Sequence, residues 1–463
     1  MGVRPFSTRV KTGFWARFRP ISRITHGVLA LALVAAAMAL TPSKALAMKI
    51  QQIKSPAGIT AWLVEEKSIP LIAMRFAFDG GSSQDPLGKE GLANYLAGML
   101  DEGAGELSAK QFQERMEELA MRMSFDDGRD AFYGSFETLT ENRERAVELL
   151  ALAINSPRFD AEAIERMRAQ YLASLAYAQR DPTRVASEQW MALAFPDHAY
   201  GRPANGTPAS VAKIARDDLA GFRSRIFAKD TLRVAVVGDI DAKSLGALLD
   251  KVFGGLPAKA KLVPVANIEP KSAEKLKIID MNVPQSVARF GLPAMARQDK
   301  DFMTAFVLNN IVGGGFASRL YAEIREKRGL AYGVDTTIVP MKNASVFIGS
   351  VATKNEEIGQ SLDLIRNEFK RVAAEGVTAS ELADAKSYLT GSFALRFDTS
   401  ANIANQLLWT MVEGLGPEYI DNRNAMINAV TLDDIKRVAK RLFEGKEPII
   451  TVVGKPKGLT PGG

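Results

Sequence analysis

The sequence predicts an α+β fold made of two homologous domains, each a mixed sheet with helices packed on one face. Strand-like and helix-like stretches are mixed within each half, the same order of features occurs twice, and a linker-like segment separates the two copies. The chain has 463 residues, of which 47% are hydrophobic and 24% charged, a composition typical of globular proteins. This length is enough for about two to three domains.

The first 47 residues have the three parts of a secretory signal peptide. Residues 1–26 contain six arginine and lysine residues and no acid, and the next 14 residues, Gly27 to Leu40, form an apolar run. Ala45 and Ala47 then form a small-residue cleavage site. Because 14 apolar residues fall short of the roughly 20 that span a bilayer, we expect cleavage and no stable membrane insertion of the mature chain. An uncleaved membrane anchor is the alternative.

Removal of this segment changes the charge balance of the chain. The full sequence has 59 basic and 53 acidic residues, and residues 1–47 hold seven of the basic residues and no acidic one. The mature chain therefore has 52 basic residues against 53 acidic ones. This near-neutral balance gives no compositional support for nucleic-acid binding, so we expect no nucleic-acid partner.

The absence of cysteine narrows the possible chemistry and the compartment. It excludes disulfides, thiolate nucleophiles and cysteine-ligated metal centres. With only two histidines, the chain has little room for an imidazole-rich metal site. A chain with a signal peptide and no cysteine suits an oxidising compartment, and we expect a periplasmic protein.

Each copy of the predicted unit opens with a strand followed by a helix. Leu71–Phe78 in the first copy and Ser286–Leu292 in the second are apolar runs of strand length. Gly91–Leu100 and Asp301–Ile311, which follow them, have apolar residues at helical spacing. The shared order is the first sign of a duplicated domain.

The later elements of the two copies also correspond. Gly134-Ser135 and Gly349-Ser350 each begin a segment that leads into a helical stretch. The next helix opens in both copies with Asp or Thr before a Glu in its first turn, which favours a helix N-terminus. Both copies close with an apolar strand that runs into glycine, at Leu232–Val237 and Ile449–Val453.

The segment between the two copies predicts the domain boundaries. Residues 254–275 are rich in Pro, Ala and Lys and lack strong periodicity, as is typical of a linker. We therefore expect a signal peptide at residues 1–47, an N-terminal domain at residues 48–262 and a C-terminal domain at residues 263–463.

Residues 89–103, KEGLANYLAGMLDEG, resemble the zinc-binding segment of the pitrilysin/insulinase family of zinc metallopeptidases, relatives of the mitochondrial processing peptidase. In that family an inverted H-x-x-E-H motif supplies two zinc ligands and a general base. Here the three positions hold Asn94, Ala97 and Gly98, and the family's third ligand falls close to Ser174. These residue types are poor zinc ligands or none. We therefore expect no metal or other cofactor in this chain.

Residues 309–334 resemble a second segment of the same family, which ends in R-x-K-x-x-L-x-Y. Arg325 and Tyr332 stand at the family's Arg and Tyr positions. The resemblance implies that the two side chains bind the substrate carbonyl and stabilise the oxyanion that forms during hydrolysis. Without the resemblance, Arg325 would be interpreted as part of a solvated helix face and Tyr332 as a packed residue.

A turn of three glycines, Gly313, Gly314 and Gly315, precedes these residues. It is either a flexible turn or a loop that contacts substrate, and we take the three glycines as candidate substrate-binding residues. It is not a phosphate-binding loop, because no Gly-Lys-Ser/Thr follows.

The resemblance also implies how such a chain works. Short-chain members of the family form heterodimers in which each subunit is a clam-like half chamber. One subunit carries the zinc motif, and the other supplies the Arg and Tyr. The resemblance thus implies a non-zinc subunit of a periplasmic zinc endopeptidase, with Zn²⁺ in a homologous partner and with peptides or unfolded proteins as substrates. The alternative is a non-proteolytic binding or assembly subunit of the same fold.

Overall fold

Two β-sheets, one from each half of the chain, form the centre of the structure. The computed structural model describes residues 48–459, so the predicted signal peptide lies outside the described residues. From Lys49 onward the described chain forms one compact unit. Strands and helices are mixed in both halves, which confirms the predicted α+β class.

The N-terminal half contributes six strands and eight helices in the described residues. The strands are β1 Gln51–Lys54, β2 Thr60–Glu65, β3 Leu71–Asp79, β4 Arg122–Asp127, β5 Ala131–Leu139 and β6 Arg233–Gly238. The helices are α1 Leu92–Ala97, α2 Ala109–Glu118, α3 Arg143–Asn155, α4 Ala161–Ala178, α5 Pro182–Ala194, α6 Pro208–Val211, α7 Arg216–Ile226 and α8 Ala242–Phe253. Residues 254–275, the predicted linker, contain no helix or strand.

The C-terminal half contributes five strands and seven helices up to residue 459. The strands are β7 Leu276–Asp280, β8 Gln285–Pro293, β9 Ala331–Pro340, β10 Ser345–Lys354 and β11 Ile449–Gly454. The helices are α9 Phe302–Val312, α10 Arg319–Tyr321, α11 Ile358–Glu375, α12 Ala379–Gly391, α13 Ser400–Val412, α14 Glu418–Ala429 and α15 Leu432–Phe443. Across residues 48–459, no helix has both the length and the apolar character to cross a membrane.

The two sheets share one topology. The N-terminal sheet has the order β1-β2-β6-β3-β5-β4, and the C-terminal sheet has the order β7-β11-β8-β10-β9. Each sheet has one parallel pair, β2 with β6 and β7 with β11, and its other neighbouring strands are antiparallel. The orders match strand for strand once β1 is set aside, so the predicted duplication is confirmed. The boundaries proposed for the two domains stay a prediction.

The repeated Gly-Ser pair of the sequence has a packing reason. Gly134 on β5 lies opposite Phe76 on β3, and Gly349 on β10 lies opposite Phe290 on β8. A Cβ at Gly134 would lie 2.0 Å from the Phe76 ring, and one at Gly349 would lie 2.4 Å from the Phe290 ring. Each glycine therefore makes room for a fully buried phenylalanine on the neighbouring strand.

One face of each sheet is covered by helices of its own half. Along β3, the alternate side chains of Ile72, Met74, Phe76 and Phe78 are buried in the N-terminal core. Phe290 and its neighbours on β8 enter the C-terminal core in the same way. Full burial of each large apolar side chain stabilises the fold by roughly 1.5–3 kcal/mol.

The other face of each sheet is covered by a helix from the opposite half, which the sequence did not predict. Helix α5 lies on β8 and β11, where the Trp190 indole N–H donates to the carbonyl of Ile449 at 2.9 Å. The Thr451 hydroxyl donates to the carbonyl of Ala186 at 2.9 Å. Helix α13 lies on β3 and β6, where Arg75 Nε donates to Asn405 Oδ1 at 2.9 Å.

Substitution Trp190→Ala tests the helix exchange. The indole is fully buried and sits over Gly291, where a Cβ would lie 2.5 Å from the ring. We expect the variant to lose about 3–5 kcal/mol of unfolding free energy, as buried Trp-to-Ala changes do. Urea denaturation measures this loss. Tyr177→Ala, at an exposed position on α4, is the control and should stay within about 0.5 kcal/mol of the parent. Equal losses in both variants would contradict the role of α5.

Candidate functional site

The positions predicted to correspond to the family's zinc motif lie in a packed region along α1. Ala97 is buried in the N-terminal core, and Gly98 ends the helix. The side-chain amide of Asn94 donates to Asp127 Oδ1 at 2.8 Å, at the end of β4. The hydrogen bond holds the Asn94 amide against β4, and an amide oxygen is a poor zinc ligand.

A tyrosine fills the space beside these positions. The Tyr171 hydroxyl, from α4, donates to the carbonyl of Asn94 at 3.0 Å. A Cβ at Gly98 would lie 2.2 Å from that hydroxyl, so a larger side chain does not fit there. Ser174, one turn further along α4, is exposed. The structure thus brings Asn94 and Gly98 together with Tyr171 rather than with Ser174, and nothing in the sequence signalled Tyr171.

These residues do not fit a zinc ion. Asn94 points its amide at a carboxylate, and Tyr171 occupies the space next to Gly98. Among residues 48–459, no group of three or more His, Asp or Glu side chains is arranged to hold a metal. We therefore assign no zinc chemistry to this region of the chain.

The buried carboxyl group of Asp85 and the half-buried carboxyl group of Asp127 lie beside α1. Burial raises the pKa of Asp85 to about 7, although its carboxylate accepts hydrogen bonds from the backbone N–H groups of Ala93 and Gly91. Burial also raises the pKa of Asp127 to about 6, against the lowering effect of the hydrogen bond from Asn94. The region therefore binds protons between mildly acidic and neutral pH.

Arg325 and Tyr332 lie against each other on the surface of the C-terminal half. Arg325 stands on a π-helical turn, Ala322–Glu326, and the chain then turns at Gly329 with φ of 61° before β9 begins. The Arg325 guanidinium carbon lies 4.5 Å from the centre of the Tyr332 ring. Tyr332 is 84% exposed, so its hydroxyl is accessible to a binding partner.

Two further aromatic residues complete this arrangement and were missed in the sequence. The Arg325 guanidinium carbon also lies 5.0 Å from the centre of the Tyr321 ring, and Arg325 donates to the Tyr321 hydroxyl. The Phe316 ring packs edge-on against Tyr321 with 5.2 Å between their centres. We call Phe316, Tyr321, Arg325 and Tyr332 the Arg325 cluster. The four-residue spacing from Tyr321 to Arg325, one helical turn, is a signal that could have found Tyr321.

The three glycines before the cluster have different roles. A Cβ at Gly313 would lie 2.4 Å from the Thr336 hydroxyl, and one at Gly314 would lie 2.6 Å from the Cα of Asn310. Both positions therefore need glycine for packing. Gly315 is exposed and has no neighbour within 4 Å of an added Cβ, which leaves it as the glycine open to contact with a ligand.

A groove of about 360 Å³ begins at Gly315 and runs beside the Arg325 cluster. Phe316, Tyr321 and Val334 give it apolar walls, and Asp335 adds a carboxylate. An extended peptide segment with apolar side chains matches this combination of apolar wall and polar edge. The cluster could present a cationic fork and a phenol to such a segment.

Comparison with protein families identifies the class of this protein. Residues 63–208 match the family model described as "Insulinase (Peptidase family M16)", and residues 213–389 match the one described as "Peptidase M16 inactive domain". Together the two matches span more than half of the chain. The chain belongs to the peptidase M16 family, and the resemblance found in the sequence is confirmed.

Individual relatives show the same likeness. The chain is 29% identical over 395 residues to "Non-peptidase homolog YmxG" of Helicobacter pylori, a match that covers 85% of this chain and 91% of that protein. It is 26% identical over 383 residues to an uncharacterized zinc protease of Streptomyces coelicolor, covering 81% and 83% of the two chains. This chain is thus a peptidase-like member of the family that lacks the zinc motif.

Solved structures agree with the fold. The crystal structure of a peptidase M16 inactive domain from Pseudomonas fluorescens superposes with a TM-score of 0.83 at 27% identity, covering 90% of this chain and all of that one. A protease from Helicobacter pylori superposes with a TM-score of 0.80 at 18% identity, covering 88% and 99%. The second likeness shows the fold alone.

A double-mutant cycle tests whether Tyr171 has taken the place of a side chain at position 98. Gly98 has a right-handed φ of −77°, so Gly98→Ala introduces a contact with the Tyr171 hydroxyl without backbone strain. We expect it to lower the unfolding free energy by about 1–3 kcal/mol. Combining it with Tyr171→Phe should cause a smaller loss than the sum of the two single changes.

Gly221→Ala is the matched control for this cycle. Gly221 lies in α7 with open space around an added Cβ, so alanine there should leave stability unchanged or raise it. Urea denaturation of the four variants and the parent provides the measurement. Strict additivity between Gly98→Ala and Tyr171→Phe would contradict direct contact at this position.

The two carboxyl groups beside α1 predict how stability changes with pH. Their pKa values lie above the ordinary value of about 4 in the unfolded chain, so between about pH 4 and pH 7 the folded state binds more protons. The free energy of unfolding should therefore fall as pH rises through this window. In Asp127→Asn the fall between about pH 4 and pH 6 should become shallower, because only Asp85 of this pair then contributes, and the fall between pH 6 and pH 7 should remain. Urea denaturation at several pH values measures this, and an unchanged pH dependence would contradict the assignment.

Proposed function

We propose that this chain is the zinc-free subunit of a heterodimeric periplasmic zinc endopeptidase. Its partner is a homologue that carries the H-x-x-E-H motif and binds Zn²⁺. This chain supplies Arg325 and Tyr332 to bind substrate and to stabilise the transition state in the partner's active site. The observation that carries the proposal is the Arg325 cluster, which presents a fixed guanidinium and an exposed phenol on one surface.

The geometry of Arg325 suits this role. Its guanidinium lies between the rings of Tyr321 and Tyr332, and each such cation–π contact contributes about 0.5–1 kcal/mol at an exposed site. The rings hold the planar group in place before a ligand arrives. Donors that are already oriented toward a developing oxyanion are the ones that accelerate acyl-transfer chemistry most.

The groove beside the cluster supports peptides as the substrate class. Its apolar wall at Phe316 can pack against a side chain, and Gly315 lets a peptide backbone approach the chain closely. A groove of about 360 Å³ has room for a few side chains of an extended segment and not for a folded domain. Unfolded proteins and flexible peptides are therefore the proposed substrates.

A non-proteolytic binding or assembly subunit is the second candidate. The relative in Helicobacter pylori that is named a non-peptidase homologue favours it. Such a role needs the fold and the surface but not the Arg325–Tyr332 pair. The two functions therefore differ in what substitution of Arg325 does.

Arg325→Ala tests the proposal in a mixture of this chain with an H-x-x-E-H homologue. Losing one oxyanion donor should lower kcat/KM for peptide hydrolysis by about 10²- to 10³-fold. Tyr332→Phe should lower it in the same direction by removing the phenol. Arg328→Ala is the matched control, because Arg328 pairs with Glu323 and should leave hydrolysis unchanged. A homologue that is fully active alone, or a mixture insensitive to Arg325→Ala, would favour the assembly role.

A further inference from the structure

A cavity of about 520 Å³ lies between the two halves of the chain and is distinct from the Arg325 cluster. It is lined by residues from both sheets and from the exchanged helix α5, with Met191 among them. Apolar side chains, including Val339, Val346 and Ile348, form much of its wall. A cavity of this size holds a small molecule or the end of a peptide.

Most charged groups at this cavity already have partners. Asp79 pairs with both Arg233 and Lys342. Asp130 accepts a hydrogen bond from the Tyr200 hydroxyl at 2.8 Å. The Asp79–Lys342 pair joins the two halves, and the engaged groups leave little capacity for a ligand.

Arg289 is the exception, and the duplication of the fold shows why. Arg75 on β3 and Arg289 on β8 occupy equivalent positions. Each lies opposite a residue of the neighbouring strand, β6 or β11, that comes three positions before the glycine at the end of that strand. Arg75 is fully engaged, with an ion pair to Glu137 and a hydrogen bond to Asn405. Glu137 lies on β5, and the corresponding position on β10 of the C-terminal half is held by Ala352.

As a result, the Arg289 guanidinium has no ion pair or hydrogen bond with any residue in the described part of the chain, and its Nε is buried. Burial lowers the pKa of Arg289, and the negative charge of Asp335 on β9 acts in the opposite direction. An arginine with unused donors at a cavity wall is a site for an anion, because burying an unpaired charge is otherwise unfavourable.

Arg297 provides a second cationic group at the same cavity. It is 7% exposed, and its guanidinium lies 4.4 Å from the centre of the Phe302 ring and 4.9 Å from that of Tyr419. Its Nε and Nη2 donate to no residue among those described, and the nearest carboxylate oxygen, on Glu413, is 3.6 Å from Nε. Burial raises the pKa of Glu413 and the charge of Arg297 lowers it, so the two groups form an ion pair at the cavity wall.

We propose that this cavity binds a carboxylate carried on an apolar group, with Arg289 as its donor and Arg297 as a second positive charge at the wall. The planar guanidinium fork matches a carboxylate, and the apolar wall matches the body that carries it. The carboxylate comes either from a free organic acid or from the C-terminus of a peptide. The site does not depend on the proposed endopeptidase function.

Isothermal titration calorimetry on the purified full chain tests this site. The probes are 4-methylpentanoate, a tetrapeptide Ala-Ala-Ala-Leu with a free C-terminus, and the same peptide amidated. We expect at least one of the two carboxylates to bind and the amide not to bind. Binding of 4-methylpentanoate identifies an organic-acid site, and binding of the free peptide alone identifies a C-terminus site.

Arg289→Met should weaken binding about 10- to 100-fold, the range expected for losing hydrogen bonds to a charged group. Its melting temperature should stay the same or rise, because an unpaired, partly buried charge is removed. Arg75→Met is the matched control and should lower the melting temperature but leave binding unchanged. Arg289→Lys retains the charge without the fork and should bind with intermediate affinity, which keeps the test decisive if Arg289→Met does not fold.

Three results would overturn the proposal. The first is that neither carboxylate binds the parent chain, and the second is that the amidated peptide binds as tightly as the free one. The third is that Arg289→Met and Arg289→Lys both bind like the parent.

Discussion

The structure depends on an exchange in which each half contributes one helix to the sheet of the other half. Each sheet has a second face that its own helices leave uncovered, and α5 and α13 cover these faces from the opposite half. Trp190 and Arg75 fix the exchanged helices by hydrogen bonds to the partner half. Separating the halves would expose both faces at once. The relative position of the two sheets is therefore set, and so is the shape of the cavity between them.

The sequence predicted the elements of this fold well and their assembly poorly. Local signals, such as the apolar run at Leu71–Phe78 and the repeated Gly134-Ser135, report strand burial and close packing within one half. The exchange of α5 and α13 joins residues more than 200 positions apart, as Trp190 and Ile449 show. Apolar periodicity indicates that a helix buries one face. It does not indicate which sheet that face packs against. This is why the layers were predicted but the exchange was not.

The residues of the candidate site also divide into those that the sequence predicted and those that it did not. The motif spacing located Asn94, Gly98, Arg325 and Tyr332, because those positions follow a local pattern. Tyr171 and Phe316 follow no pattern, and their roles arise from contacts made only in the folded chain. Tyr171 also explains why the zinc site is lost as a unit. Once a phenol fills the space beside Gly98, restoring any single ligand restores neither the room nor the geometry that a metal requires.

Duplication gives a physical basis for separating structural from functional residues in this chain. Two copies of one sheet place an arginine at the same register position, and the copies differ in what surrounds it. In the N-terminal half, Glu137 and Asn405 satisfy Arg75, so that arginine stabilises the contact with α13. In the C-terminal half the carboxylate position holds Ala352, and Arg289 has a cost of burial without a partner. An apolar residue there would be more stable. Within the described residues the donors of Arg289 are therefore unused, and they are available for a ligand in the cavity between the halves.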